Sequence, residues 1–190
     1  MALPLAVDAF GVAPVLRGPQ VTLVPLGVRY LDDYLTMLAD PEGNRLTGTT
    51  AAFDRRGITE WLTGRQEHHD RADWAIVDSD TDEFLGEVVL NQFDPAQASA
   101  NFRISLAGPS AYGHGHGTAA ARMALRHGFE TVGLHRIHLE VFDFNARARR
   151  SYAKAGFREE GVLREAHHDD DGWHDVIVMA LLSTDPRPAA

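Results

Sequence analysis

Residues Ala111–Gly133 read AYGHGHGTAAARMALRHGFETVG, and this segment constrains the chain more than any other. Three glycines alternate with two histidines, and a helix-forming run follows at once. Glycine reaches backbone conformations closed to other residues. A helix start leaves about four N–H groups without intrahelical partners and carries about half a positive charge. Together these features make a cradle for an anion such as a pyrophosphate. A flexible glycine turn has the same composition, so the loop alone does not decide. A nucleotide-hydrolysing P-loop needs Lys and then Ser or Thr after its last glycine, whereas Gly117 is followed by Thr118 and Ala119. A dinucleotide fingerprint needs a third small residue directly after a parallel strand, and GPSAY intervenes here.

The chain's 190 residues suffice for one domain with a full core. Cysteine is absent, which excludes disulfides, thiolate catalysis and thiolate metal sites. A net charge of -9 disfavours nucleic acid as a partner and mildly favours cationic ligands such as amines. No apolar run is long enough to span a bilayer, and MALPLAVDAFGVAPVLRG lacks the early basic cluster of a signal peptide. A cytoplasmic bacterial-type enzyme with no membrane partner is the expectation.

Residues 1–20 are rich in Pro and Ala and are expected to form an arm. VTLVPL alternates as a first strand; RYLDDYLTMLAD has helical spacing, with Pro41 closing it. Asp54 is placed to cap a second helix through RRGITEWLTGRQEHH, and DWAIVDSDTDEFLGEVVLNQF reads as a hairpin. ASANFRISLAG is a strand with Phe102, Ile104 and Leu106 on one face; the glycine loop and a long helix follow. HRIHLEVF is strand-like, and NARARRSYAKAG is a helix capped by Asn145 and stopped by Gly156. FREEGVLREA and WHDVIVMALL are two strands joined through the polar HHDDDG, and residues 184–190 are expected to be disordered. The pattern predicts a single α+β domain over 21–183.

Asn145, Arg147–Ala148, Tyr152 and Gly156–Phe157, following the glycine loop in this order, resemble the second half of the GCN5-related N-acetyltransferases. The closing REEGVLREA…DGWHD resembles the subgroup that acetylates ribosomal-protein N-termini and small amines. The family's Gln/Arg-x-x-Gly-x-Gly/Ala motif matches Tyr112–Gly117, with Tyr112 in the first position. The resemblance runs from about Arg103 to Leu182. It implies a mixed, mostly antiparallel sheet with splayed central strands, flanked by about four helices, and acetyl-CoA as co-substrate with no metal.

By that resemblance, Tyr112, Gly113 and the N–H groups of His114, Gly115, His116, Gly117 and Thr118 hold the pyrophosphate; the two histidine side chains read as solvated rather than as metal ligands, since no third ligand is evident. Leu106 and Ala107 offer backbone groups to the pantetheine arm and the thioester oxygen, and Asn145 hydrogen-bonds the pantetheine while also reading as a plain helix cap. Arg150, with Arg147 and Lys154 at helical spacing, is placed for a coenzyme A phosphate, and Arg122 with Arg126 on the long helix is the other cluster so placed. Tyr152 matches the general-acid position, and its spacing fits a core aromatic as well. The acidic residue customary in the strand before the loop falls on Asn101 or Phe102, so Glu87 is the first candidate for the base, on the same face as Leu85; Glu140, His138 and Glu165 are others. The acceptor is read as a primary amine, on a peptide N-terminus or a small molecule, in a monomer or a homodimer. A non-catalytic module that binds coenzyme A is the alternative.

Overall fold

Runs rich in β-branched and aromatic residues become strands, and the apolar stripes between them become helices that cover both faces of the sheet. The computed structural model describes residues 4–187. Its elements, in chain order, are α1 (Val7–Phe10), β1 (Leu16–Arg17), β2 (Val21–Pro25), α2 (Leu31–Leu38), α3 (Pro41–Thr47), α4 (Arg55–Thr63), β3 (Ala72–Asp78), β4 (Phe84–Asp94), β5 (Ser99–Leu106), α5 (His116–Arg126), β6 (Arg136–Phe142), α6 (Ala146–Ala155), β7 (Arg158–Asp169) and β8 (Gly172–Leu182). The strands form one eight-stranded sheet in the order β1-β2-β3-β4-β5-β6-β8-β7. Every neighbouring pair is antiparallel except β5–β6. No helix among the described residues is long and apolar enough to cross a membrane.

Caps set the helix boundaries. Asp54 Oδ1 accepts from Gly57 N at 2.7 Å, as its position before α4 predicts. Pro41 does not merely end α2; it opens α3 at the first helical position, and Asp40 Oδ2 accepts from Gly43 N at 3.1 Å. Together with the four-residue α1, α3 brings the α-helices among the described residues to six rather than about four. Helices α5 and α6 cover a core built on Trp74, Ile76, Leu90 and Phe102, while α2 and α4 cover a second core built on Tyr34, Leu62, Ala75 and Val77.

The expected arm is packed down. Phe10 is fully buried and stacks on Phe93 with ring centroids 4.2 Å apart, and β1 adds to the sheet edge. Residue 20 is therefore not a structural boundary, because an apolar ring at Phe10 finds a place in the main core. The expected loose tail is likewise anchored as far as it is described: Asp185 pairs with Arg158 at 3.1 Å, and the Arg187 guanidinium lies 4.0 Å from the Phe129 ring centre. Residues 1–3 and 188–190 of the expected arm and tail lie outside the described residues. Phe10→Ala is expected to cost about 3–5 kcal/mol in denaturant unfolding. A change under about 1 kcal/mol would mean that the N-terminal segment rests on the domain without supporting it.

Candidate active site

β5 and β6 pair at only three positions, Ser99–Arg136, Ala100–Ile137 and Asn101–His138. Each then stays with its other neighbour, β5 with β4 and β6 with β8. The two central strands thus diverge, and a cavity of about 560 Å³ opens between them, walled also by α3, the start of α5 and one face of α6. A β-bulge in β4 lies opposite the end of β5, where Val77 faces Phe84 and Ile76 faces Gly86. Gly86 has φ +146°, and a Cβ there would sit 2.1 Å from Ser105 O, so only glycine lets β4 approach β5 so closely.

The backbone edge of β5 supplies the first functional group. Ala107 N donates to Leu85 O at 2.8 Å, which makes Gly86–Leu106 a non-hydrogen-bonded pair. The N–H groups of Leu106 and Ile104 therefore face the cleft. Leu106 meets its expectation as a cavity residue; Ala107 does not, because its N–H is already taken by β4.

The glycine loop enters α5 as the sequence suggests. Gly113 (φ +83°) and Gly115 (φ +87°) occupy the left-handed region, and Gly115 is the N-cap. The first intrahelical bond runs from Ala119 N to Gly115 O, leaving the N–H groups of His116, Gly117 and Thr118 for a ligand. A Cβ at Gly117 would lie 3.5 Å from Leu106 Cδ1 and 3.8 Å from Ile104 Cδ1. The loop thus sits over the face of β5 that carries Phe102, Ile104 and Leu106. The histidines divide: His114 is exposed and off the cavity wall, whereas His116 lines the cavity with a buried, unpartnered Nδ1 and is not the solvated side chain expected.

α6 supplies the opposite wall. Asn145 Oδ1 caps it by accepting from Ala148 N at 3.1 Å, and Nδ2 donates to Leu46 O at 3.3 Å, tying α3 to the site. Thr118 and Ser151 hydroxyls meet at 2.8 Å, joining α5 to α6. Arg147, Arg150 and Lys154 all line the cavity along one helical face, and Arg147 lies 3.7 Å from the Tyr112 ring centre. Tyr152 is 9% exposed, with its ring edge-on to Phe102 and Phe157 at 6.0 Å each. Burial pushes its phenol up to about 12, against a smaller opposing pull from Arg103.

Glu87 is placed differently from its expectation. The bulge reverses the alternation, so that Leu85 joins the core under α5, whereas Glu87 lies on the α2 side and accepts from the Tyr34 hydroxyl at 2.9 Å. Burial raises its carboxyl above the ordinary range, with the Tyr34 hydrogen bond pulling the other way. It does not reach the cavity wall. His138 and Glu140 do, on β6; His138 has an unpartnered buried Nδ1, and burial followed by the nearby Arg136 lowers its pKa. Sequence reasoning missed Arg103 and α3, although the alternation of NFRISL already sets Arg103 on the face opposite Phe102, Ile104 and Leu106. Among the described residues no group of three His, Cys, Asp or Glu could hold a metal ion.

Burial raises all four tyrosines, Tyr30, Tyr34, Tyr112 and Tyr152, above the ordinary phenol value of about 10. At pH 10 the denatured chain should be about half tyrosinate and the folded chain well below that, read by near-ultraviolet absorbance. Because the folded values are the higher ones, stability should fall as pH rises past 10 toward 12. Matching titrations of folded and denatured protein would contradict the burial described.

The fold recurs in known proteins. A spermidine N-acetyltransferase from Vibrio cholerae, solved in complex with CoA and spermine, superposes with a TM-score of 0.81 at 24% identity, covering 88% of this chain and 98% of that one; at that identity the likeness is of fold. In sequence, the chain is 29% identical over 136 residues to "Probable N-acetyltransferase YjcK" of Bacillus subtilis, covering 72% of this chain and 75% of the relative. It is 32% identical over 117 residues to a spermidine N(1)-acetyltransferase of Vibrio cholerae, covering 61% and 67%. The acetyltransferase (GNAT) domain family matches residues 20–158, most of the chain including the whole cleft, and the chain belongs to that family.

Proposed function

We propose that the chain transfers an acetyl group from acetyl-CoA to a primary amine, by direct attack of the amine on the thioester within the splayed cleft. The observation that carries this reading is the end of β5–β6 pairing at Asn101–His138, which leaves the Leu106 edge facing a cavity with the glycine loop on one wall and Tyr152 on another. The donor set fits acetyl-CoA. The α5 start and the open space at Gly113 and Gly115 suit a pyrophosphate. Arg150 and Lys154 suit a further phosphate, and the backbone edge of β5 suits an amide-rich arm. Acetyl-CoA supplies the activated acyl group.

The residues then have separable tasks. The loop and β5 fix the thioester, and most of the acceleration comes from that placement. The Leu106 N–H is directed to where the carbonyl oxygen gathers charge. His138, held neutral at pH 7 by burial, receives the proton that the amine must lose. Tyr152 stays protonated at any working pH and donates to the departing sulfur. The burial that keeps its proton on also raises the proton affinity of a thiolate beside it.

Acetyl-CoA at about 100 times its Kd should stabilise the protein by about 2.7 kcal/mol. Gly117→Val should keep the native melting temperature and lose that gain, since Gly117 needs no left-handed backbone and its Cβ has room. Gly115 is the poorer site for the test, because its φ of +87° would strain any β-branched replacement. An undiminished gain in the Gly117 variant would remove the loop from the binding site. Tyr152→Phe should lower kcat about 10²–10⁴-fold with little change in acetyl-CoA affinity. Wild-type turnover in that variant would leave Tyr152 as packing alone. A protein that binds acetyl-CoA yet releases no thiol with any amine would be a binding module of the same fold.

A further inference from the structure

Asn101 and His138 are the last paired residues of β5 and β6, so two positions on, Arg103 and Glu140 occupy matching places on the two sides of the opening. Both line the cavity and both are exposed. They lie on the sheet face opposite the glycine loop, which rests over Ile104 and Leu106. Arg103 is thus directed away from the phosphate-binding wall and toward the side left for an acceptor.

Three other arginines near this face have partners within the chain. Arg71 and Arg65 pair with Asp73 at 2.6 and 3.3 Å, and Arg136 pairs with Glu160 at 2.5 Å. Among the described residues, Arg103 and Glu140 form no ion pair, with each other or with a third group. The carboxylate next along this face, Glu87, accepts instead from the Tyr34 hydroxyl. A guanidinium and a carboxylate facing one cleft from either side bind a molecule that carries both charges: the carboxylate attracts an ammonium, and the guanidinium fork takes an anionic oxygen pair. A polyamine would set a second cation against Arg103, a repulsion strengthened as the cleft is dehydrated.

We infer that the acceptor is an amino-carboxylate, with its amine at the Glu140 side and its anionic group held by Arg103, so that Arg103 selects against polyamines. This rests on the amine-acetylation reading above and specifies its substrate class. A free amino acid and a peptide with an acidic residue at its N-terminus share this chemistry.

Thiol release from acetyl-CoA, followed over matched acceptors, tests the inference. The pairs are 4-aminobutyrate against butane-1,4-diamine, and 6-aminohexanoate against spermidine. Glutamate and an amidated Glu-Ser peptide distinguish the free from the peptide source. The wild type should favour the anionic member of each pair in kcat/KM by at least about tenfold, the worth of one charge-assisted contact. Arg103→Gln should erase that preference chiefly through KM, and Arg103→Glu should invert it. Unchanged acetyl-CoA binding and melting temperature in both variants establish that the site is otherwise intact. A wild type that prefers the diamines, or an Arg103→Gln variant that weakens both members of a pair equally, would overturn the inference while leaving amine acetylation standing. Absence of thiol release with every acceptor would overturn the activity itself, and the inference with it.

Discussion

The whole site depends on three residue pairs. β5 and β6 share a ladder at Ser99–Arg136, Ala100–Ile137 and Asn101–His138, and no further. Were the strands paired along their full length, the N–H groups of Ile104 and Leu106 would be spent on β6 and no cavity would exist. Their separation is enforced from outside. β4 holds β5 through Leu106, and β8 holds β6 through Phe142. Gly86 lets the β4 bulge press against Ser105, and α6 inserts Tyr152 beside Phe102 at the cavity wall. The cost of an unpaired backbone edge is one that a ligand amide can offset.

The two faces of the sheet at this opening differ in chemistry. On the α5 side, aliphatic Ile104 and Leu106 meet the glycine loop, and cationic side chains come from α6. On the α2 side, charge is buried and tightly coupled: Asp73 takes both Arg65 and Arg71, and the Arg65 guanidinium lies 4.4 Å from the Trp61 ring centre. Trp61 stacks on Tyr34, which in turn donates to Glu87. Breaking one member of such a network strands a buried charge, and Trp61 and Tyr34 join α4 and α2 to it. Glu87 belongs to this framework by geometry, although its chemistry alone suggested catalysis.

Much of this was legible in the sequence, for identifiable reasons. Local signals carried the elements: Asp54 and Asn145 as caps, Gly156 as a stop, the alternation of NFRISL, and the glycine run ahead of α5. Three features were not legible because they depend on long-range contacts. The bulge at Phe84–Gly86, which moves Glu87 to the other face, follows from pairing with β3 and leaves no local trace. Phe10 reads as part of a proline-rich arm until Phe93 is known to lie beneath it. Pro41 reads as a stop, and only the Asp40–Gly43 bond shows it opening a helix.

Amide hydrogen exchange at Ile104 and Leu106 tests the divergence of the central strands most directly. The account predicts fast exchange at both in the free protein, slow exchange at Ala107, whose N–H is held by Leu85 O, and marked slowing at Leu106 when acetyl-CoA is added. Slow exchange at Ile104 and Leu106 in the free protein would mean that β5 and β6 are paired throughout, and would contradict the cleft on which every other assignment rests.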